Sequence, residues 1–173
     1  KKAQVLFRLA FQEKPSKILE LGTSLGLSTA YLSKACPKAS ITTIEGSPEV
    51  AKIAGINFEK LNLTNVSQVI GNFDDQLEKE LKKLKEVDFV FFDGNHRKSP
   101  TLSYFNACLT FAKEDSVFIF DDMYWSKEMT EAWEEIKKHP KINGDGTYRL
   151  LKSKNDSKYK YYSLSAGEWS VTY

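Results

Sequence analysis

The sequence predicts an α/β fold in which helices cover both faces of a mostly parallel β-sheet. Five short apolar segments with high β-propensity recur along the chain, and stretches of helical composition separate them. Strands that alternate with helices pair in parallel, because each helix returns the chain to the same end of the sheet. The predicted strands are Lys17–Leu21, residues 40–44, Val66–Ile70, Val87–Phe92 and residues 116–120.

Helix start signals lie between these strands. Ser47 and Pro48 provide an N-cap and a first-turn proline, and Ser99 and Pro100 provide the same signal further along the chain. Charged and apolar residues at helical spacing extend the prediction to two further surface helices. The predicted helices include residues 74–85, 101–112 and 126–139.

After the last of these helices, strand and helix no longer alternate. Two further strands, at residues 147–151 and 160–164, flank the polar segment 153–158. A short polar turn joins its two strands antiparallel, so we predict an antiparallel hairpin at the edge of the sheet. Because no repeat or linker interrupts the chain, a single domain is expected over residues 1–173.

Composition narrows the class of protein. With 173 residues, 41% of them hydrophobic, the chain has enough apolar content for one folded core. Its net charge of +2 is too balanced to indicate binding to nucleic acid or an anionic membrane. No apolar run approaches the roughly 20 residues of a membrane span. Cys36 and Cys108 form no metal-binding spacing, and no signal peptide opens the chain, so we expect a cytoplasmic location. The lack of an initiator Met predicts a truncated N-terminus.

Each of the five predicted strands ends in a glycine, an acidic residue or both. Ligands of open α/β sheets bind beyond the carboxyl ends of the strands. One such ending would be ordinary turn chemistry, whereas five along one edge indicate a binding site. The endings lie at residues 21–22, 44–46, 70–72, 92–94 and 120–122.

The first ending continues into the loop ELGTSLGLS, residues 20–28. Gly22 and Gly26 allow the backbone to approach a ligand, and the N-terminus of the following helix favours an anionic group. The spacing does not match the GxGxxG pattern of dinucleotide-binding loops. A smaller carboxylate suits Ser24, Ser28 and the nearby amides better. A plain strand-to-helix turn is the alternative interpretation.

Glu45 ends the second strand, 23 residues after Gly22. An acidic residue about 20 residues after a glycine loop is placed to accept hydrogen bonds from ribose hydroxyls. Alone, Glu45 would be interpreted as a solvated strand end. Together with the loop it indicates a nucleoside that carries a small charged tail, and S-adenosylmethionine (SAM) is such a molecule.

Three segments in order resemble motifs of class I SAM-dependent methyltransferases: ELGTSLGLS, VDFVFFDGNH and VFIFDDMYW. They are similar to the branch that contains catechol and caffeoyl-CoA O-methyltransferases. The resemblance covers residues 18–122, about three-fifths of the chain. It implies a Rossmann-like, doubly wound sheet of seven strands, in which the last two strands form the antiparallel edge.

The resemblance also implies cofactor-binding residues at matching motif positions. Gly22, Ser24 and Ser28 would hold the methionine end of SAM, and Glu45 would hold the ribose. Asn72 lies where the family places its adenine contacts, and a turn asparagine is an equally good interpretation. The full set is Glu20, Gly22, Ser24, Gly26, Ser28, Glu45, Gly71, Asn72, Phe73 and Asp93.

Methyl transfer to a hydroxyl needs an ionised acceptor. A phenol with a pKa near 10 is only about 0.1% ionised at pH 7, a deficit of roughly 4 kcal/mol. Asp93, Asp121 and Asp122 would cluster at adjacent strand ends, where a divalent cation such as Mg²⁺, Mn²⁺ or Ca²⁺ would relieve their repulsion. Asp122 stands where metal-dependent relatives carry Asn, so the metal preference is open. Alternatively, these residues cap turns or contact cofactor and acceptor.

His96, with Asp93, is a candidate catalytic residue. It lies where metal-dependent relatives carry a lysine base, and an imidazole accepts a proton near neutral pH. Lys98 is the competing base. Trp125 matches an aromatic position of the family and would form a wall of the acceptor site, or would pack onto the following helix.

The sequence therefore predicts SAM-dependent O-methylation of a small-molecule hydroxyl, assisted by a divalent metal. The alternatives are a nicotinamide-dependent oxidoreductase and a non-catalytic SAM-binding module. The expected partner is the small-molecule acceptor, with no nucleic acid and no membrane, and a homodimer is left open. Relatives carry extra N-terminal helices that close over the ligands, whereas only residues 1–13 precede the first strand here, so the acceptor stays unnamed.

Overall fold

The computed structural model describes residues 2–139, 142–143 and 159–164. Each of the five strands predicted in the first 121 residues is present, and three have the predicted bounds. In chain order the elements are α1 (Lys2–Glu13), β1 (Lys17–Leu21), α2 (Leu27–Ala35), β2 (Ser40–Glu45), α3 (Pro48–Lys60), β3 (Val66–Ile70), α4 (Phe73–Leu84), β4 (Val87–Phe92), α5 (Lys98–Leu109), β5 (Ala112–Asp121), α6 (Lys127–Lys137), β6 (Ile142–Asn143) and β7 (Tyr159–Leu164).

The described strands form one sheet in the order β3-β2-β1-β4-β5-β7-β6, and each described pair is parallel. The chain builds outward from β1 to β3 and then returns to the other side of β1 with β4. Leu21 therefore lies opposite both Ile44 and Phe92. A reversal of this kind opens a crevice at the carboxyl ends of the strands, and open α/β sheets bind their ligands there. The predicted parallel α/β fold is confirmed.

Both faces of the sheet are buried, which explains why its central strands are almost entirely apolar. Phe89 and Phe91 of β4 pack with apolar residues of α1 and α2 on one face. Val90 and Phe92 point to the opposite face, where residues of α4, α5 and α6 cover them. On that face Phe92 stacks on Phe120, with ring centroids 4.4 Å apart. The alternation along β4 thus joins two hydrophobic layers through one strand.

The predicted helix starts are confirmed for α3 and α6 and displaced for α5. Ser47 and Ser126 are N-caps, and each side chain accepts a hydrogen bond from a backbone N–H three residues further on. α5 begins at Lys98, so the predicted cap Ser99 lies inside the helix. Pro100 is tolerated in the first turn because its missing N–H would have no helical partner there. None of the helices in the described part of the chain has the length and apolar character of a membrane span.

The predicted antiparallel edge is wrong in its orientation. β7 contains the predicted strand at residues 160–164, but it pairs with β5 in parallel, with Ser116 opposite Tyr159. The other predicted strand, residues 147–151, lies outside the described residues. The prediction assumed that a tight turn joins the two strands as antiparallel neighbours. Among the described strands β7 lies between β5 and β6 and is parallel to both, an arrangement that a hairpin turn does not produce.

The carboxyl ends of β1 and β4 approach each other at Gly22. The φ angle of Gly22 is 104°, a conformation that residues with a side chain rarely adopt. The Gly22 N–H donates to the Ile44 carbonyl at 3.0 Å, and the Asp93 N–H donates to that of Leu21 at 2.8 Å. A Cβ atom at Gly22 would lie 2.1 Å from the carbonyl oxygen of Asp93. The absence of a side chain therefore lets the strand ends meet and fixes the position of Asp93.

A buried carboxyl group lies under the loop that follows β1. The Glu20 side chain is fully buried, and its Oε2 accepts hydrogen bonds from the hydroxyls of Thr29 and Thr43. Burial raises the pKa of Glu20 to about 7. Hydrogen bonds from Ser28, Thr29 and Thr43 lower the pKa, and the negative charge of Asp93 raises it further. Glu20 thus connects β1, β2 and α2 beneath the loop.

Replacing Gly22 with Ala should lower the free energy of unfolding by about 2–4 kcal/mol, because the added Cβ would overlap the Asp93 carbonyl at an unfavourable φ. Gly46→Ala is the matched control, since a Cβ at Gly46 would meet nothing within 4 Å. We expect that control to change stability by less than about 0.5 kcal/mol. Urea denaturation measures both variants, and an equal loss in the two would contradict the close approach of β1 and β4.

The raised pKa of Glu20 predicts a pH-dependent stability difference between the wild type and Glu20→Gln. Between the unfolded value of 4.5 and the folded value of about 7 the native state binds more protons. The stability that Glu20 contributes is therefore complete below pH 4.5 and is lost as the pH rises through about 7. The total change should reach roughly 3 kcal/mol relative to the variant.

Denaturation curves of the wild type and Glu20→Gln at several pH values between 4 and 8.5 measure this difference. A difference that stays constant over this range would show that the fold does not raise the pKa of Glu20.

Candidate functional site

A cleft of about 530 Å³ opens at the carboxyl edge of the sheet, beyond the ends of β1, β2, β3 and β4. Five residues that the sequence predicted to bind a cofactor line it, and they come from four different segments of the chain. Four of the five predicted strand endings therefore meet at one cavity, whereas residues 120–122 after β5 are not among its lining residues. Its lining residues are Ser24, Glu45, Gly46, Val50, Asn72, Phe73, Asp93, Gly94 and Asn95.

Glu45 holds together two loops at the mouth of this cleft. Its Oε2 accepts a hydrogen bond from the Ser24 amide at 2.8 Å, and its Oε1 accepts one from the Ser47 amide at 3.0 Å. Each carboxylate oxygen can accept a further hydrogen bond, and Glu45 is only partly buried. The carboxylate is thus fixed in place by the backbone while both of its oxygens can still accept from a ligand.

The glycine loop owes its shape to its glycines, which are not among the lining residues. Gly26 has a φ of 80°, and a Cβ there would lie 2.4 Å from the Phe58 ring. Ser24 also adopts a positive φ, 47°, and is exposed at the cleft. Glu20 and Ser28 interact with each other beneath the loop. Of the predicted loop residues, the structure thus brings Ser24 to the cavity and gives the others a supporting role.

The opposite wall of the cleft is formed by the turns after β3 and β4. The Asn72 side chain is the N-cap of α4 and accepts the Asp74 amide at 3.3 Å, so the turn interpretation of this residue holds in the structure. A side-chain bridge joins these two turns, and the sequence did not predict it. The Tyr104 hydroxyl donates to Asp74 Oδ1 at 2.7 Å and accepts from Asn95 Nδ2 at 3.0 Å. No local pattern signals this contact, since Tyr104 lies one helix away.

The acid cluster at the ends of β4 and β5 contains a lysine that the sequence did not predict. Lys2 Nζ lies 2.8 Å and 3.0 Å from the two carboxylate oxygens of Asp121, and 3.0 Å from Asp122 Oδ1. These are the three hydrogen bonds that one ammonium group can donate. A separation of 119 residues explains why nothing in the sequence paired Lys2 with Asp121.

His96 completes a second group of potential ligands beside this ion pair. Its Nε2 lies 4.0 Å from Asp93 Oδ1 and 4.0 Å from Asp122 Oδ2. Asp93, His96 and Asp122 each offer one ligand atom, and these atoms all lie within 4.8 Å of one another. In the part of the chain that the structure describes, this trio differs from the predicted set of three aspartates by having His96 where Asp121 was expected, because the carboxylate of Asp121 faces Lys2. Whether either set binds a metal stays a prediction.

Burial and crowding change the titration of the acid cluster. Burial raises the pKa of Asp93 to about 6, and the charges of Asp121 and Asp122 raise it further, against the opposing charges of His96 and Lys2. Burial also raises the pKa of Asp121, although the Lys2 hydrogen bond counteracts it. The site therefore concentrates negative charge that is only partly compensated by the protein's own cations.

The structure also shows the surroundings of the predicted residues Lys98 and Trp125. Lys98 forms ion pairs with Glu131 at 3.2 Å and Glu135 at 2.6 Å on α6, so the structure directs it away from the cleft. The Trp125 ring is 76% exposed, and the Trp125 amide donates to the Asp122 carbonyl at 3.0 Å. Packing onto the following helix is therefore not the role of Trp125; the buried Met123 has that role.

Comparison with known proteins agrees with this geometry. A family described as a methyltransferase domain matches residues 19–123. A catechol O-methyltransferase from Niastella koreensis is 26% identical over 141 residues, which are 80% of this chain and 62% of that protein. The chain spans 47% of a bovine catechol O-methyltransferase, to which it is 28% identical.

Solved structures show the same relationship. An O-methyltransferase from Bacillus cereus in complex with SAH superposes with a TM-score of 0.70 at 25% identity, over 81% of this chain and 70% of that one. The O-methyltransferase TomG from Streptomyces achromogenes, in complex with SAM, gives a TM-score of 0.60 at 27% identity, over 65% of this chain and 51% of that one. The sequence match covers more than half of the chain and includes both walls of the cleft, and the chain belongs to this family of methyltransferase domains.

Proposed function

We propose that this chain is a SAM-dependent methyltransferase that acts on a hydroxyl oxygen of a small molecule. The observation that carries the proposal is the cleft itself, in which Glu45 faces Asp93 across a cavity of about 530 Å³. That volume lies within the range of about 300–1,000 Å³ typical of small-molecule sites. The solved relatives that contain SAM or SAH (S-adenosylhomocysteine) support the same choice of cofactor.

The residues present suit the parts of this cofactor. Glu45, with both oxygens fixed by backbone amides, would accept hydrogen bonds from the two ribose hydroxyls. Asn72 and Phe73, on the opposite wall, would lie against the adenine ring. Ser24 and Asp93 would face the methionine end, where Asp93 complements a positively charged amino group and sulfonium. Gly22, Gly26 and Glu20 would act by shaping the loop.

The reaction requires alignment and deprotonation. SAM supplies a methyl group that is already activated on a positively charged sulfur. The acceptor oxygen forms a bond to the methyl carbon as the carbon–sulfur bond breaks, and S-adenosylhomocysteine is released. The cleft would align the reacting atoms. The hydroxyl proton would leave to a base of the acid cluster, and ionising a phenol at pH 7 costs roughly 4 kcal/mol.

The cluster formed by Asp93, His96 and Asp122 fits a divalent cation. The three ligand atoms lie within 4.8 Å of each other. The two carboxylates are ligands that Mg²⁺ and Mn²⁺ accept, and the imidazole is a ligand of first-row transition ions. A bound divalent cation would lower the pKa of a coordinated acceptor hydroxyl. If His96 does not hold the cation, its imidazole would accept the hydroxyl proton, and the exposed Trp125 would border the acceptor.

Two wider expectations are part of the proposal. Cys36 and Cys108 are both free and buried, which supports a reducing, cytoplasmic setting. We also propose that the seven described strands make up the complete sheet, the number typical of the family. The homodimer, and the exclusion of nucleic acid and membranes as partners, stay predictions.

Methyl transfer is tested by incubating the protein with SAM labelled in its methyl group and a panel of phenols and catechols, with and without Mg²⁺ or Mn²⁺. We expect a labelled O-methyl product from at least one acceptor. Asp93→Asn should reduce its formation by at least about 100-fold, because both alignment and charge are lost. Binding of SAM without any labelled product across the panel would favour the non-catalytic module.

Glu45→Gln should weaken the binding of S-adenosylhomocysteine by about 1–3 kcal/mol, because the amide replaces a charged acceptor of two hydroxyls. Isothermal titration calorimetry measures the loss, and Glu59→Gln, an exposed acid at the other end of α3, should bind like the wild type. NAD is titrated in parallel and should give no heat. Unchanged affinity of Glu45→Gln would remove Glu45 from the ribose site.

A further inference from the structure

We infer that His96 is a metal ligand, and that Asp93, His96 and Asp122 form a mixed nitrogen and oxygen site that selects a first-row transition ion over Mg²⁺. Lys2 keeps Asp121 out of this ligand set. The inference rests on the function proposed above, because it names the metal class of the same site. It departs from a site made of three acidic side chains at the strand ends.

The first step concerns Asp121, whose carboxylate already accepts hydrogen bonds from the protein itself. Both of its oxygens accept hydrogen bonds from Lys2 Nζ, and its Oδ1 also accepts the Asp122 amide at 2.9 Å. A cation at Asp121 would have to displace the ammonium group or lie beside its positive charge. The Asp121 side chain is also only 7% exposed. Asp121 therefore serves as the anchor of α1 and not as an accessible ligand.

The second step concerns Asp122, which divides its two oxygens between two neighbours. Asp122 Oδ1 accepts from Lys2 at 3.0 Å, whereas Oδ2 faces His96 Nε2 at 4.0 Å. The backbone of Asp122 has a φ of 53°, which turns the residue out of the line of β5. One carboxylate oxygen of Asp122 thus faces His96, and the other stays at the ion pair with Lys2.

The third step is the spacing around His96. Its Nε2 lies 4.0 Å from an oxygen of Asp93 and from an oxygen of Asp122, which is too long for a hydrogen bond. Two donors bound to one ion at about 2.1 Å lie about 3 Å apart when adjacent and about 4.2 Å apart when opposite. The observed 4.0 Å lies between these two values, so a small movement of the side chains would bring all three ligand atoms around one ion.

The fourth step is ligand chemistry and access. An imidazole nitrogen binds Mn²⁺, Co²⁺ and Zn²⁺ more readily than Mg²⁺ or Ca²⁺, which prefer oxygen ligands. The side chains of Asp93, His96 and Asp122 are 34%, 30% and 29% exposed, so an ion can reach them from solvent, and Asp93 also lines the cleft. Three protein ligands leave coordination positions open for water or an acceptor oxygen.

The test is pulsed electron paramagnetic resonance of the full chain loaded with Mn²⁺, which detects nitrogen bound to the ion independently of activity. We expect a nitrogen coupling that changes when the protein is grown with ¹⁵N-histidine. His96→Gln should abolish the coupling and weaken Mn²⁺ binding by at least about tenfold. The matched control, His139→Gln, should retain both, because His139 packs against Phe105 away from the cluster.

Asp121→Asn separates the two possible ligand sets. It should retain the nitrogen coupling and keep Mn²⁺ affinity within about threefold, whereas Asp93→Asn should lose at least about tenfold. No Mn²⁺ binding, bound Mn²⁺ without nitrogen coupling, or an equal loss in Asp121→Asn and Asp93→Asn would each overturn the inference. The wild-type spectrum decides the matter even where a variant fails to fold.

The same samples distinguish this inference from the proposed function. S-adenosylhomocysteine affinity and methyl transfer are measured alongside the spectra. A protein that binds the cofactor and transfers methyl groups but shows no nitrogen coupling overturns only the metal assignment. A protein that shows the coupling but does not bind the cofactor overturns the proposed function and leaves the metal site in place.

Discussion

The backbones of β1 and β4 come so close beyond Leu21 that no side chain fits between them. An atom at the Cβ position of Gly22 would overlap the carbonyl of Asp93, at 2.1 Å. This contact directs the Asp93 carboxylate into the cleft and starts the glycine loop on the opposite side. Glu45 then secures the loop through the Ser24 amide. The cleft thus lies between the segments that follow two adjacent parallel strands, β1 and β4.

The second constraint on the site is charge. Glu20 is fully buried, and the pKa values of both Glu20 and Asp93 are raised mainly by that loss of solvent. Hydroxyl groups stabilise Glu20, and the ammonium of Lys2 stabilises Asp121. The fold therefore tolerates a concentration of acids by giving some of them internal partners. The acids that remain accessible at the cleft favour ligands that carry positive charge.

These two constraints have different origins in the chain. The backbone approach at Gly22 joins two strands that are adjacent in the sheet, β1 and β4, whereas the charge balance depends on α1 folding across the end of β5. Lys2 couples the first helix to the acid cluster through an interaction that spans 119 residues. The same helix packs its apolar face on α2. The packing of α1 on α2 therefore also places Lys2 against Asp121, so the charge of the acid cluster depends on the position of this helix.

The sequence by itself determined the first five strands, their parallel pairing and the edge at which a ligand would bind. Apolar runs and strand-end residues are local features, and the alternation of strand and helix leaves few ways to assemble them. Glu45 and Asp93 could be identified for the same reason, because each directly ends a predicted strand. The three family motifs added the cofactor class, and the family match agrees with them.

Only the tertiary structure decided which side chains share a contact. The pairing of Lys2 with Asp121, the Tyr104 bridge between two turns and the orientation of β7 join segments far apart in the chain. Lys98, expected near the cleft, instead meets two acids of α6. Periodicity and strand endings specify where a residue lies along its own element. The partner of a long charged side chain depends on how the elements pack, which no local pattern records.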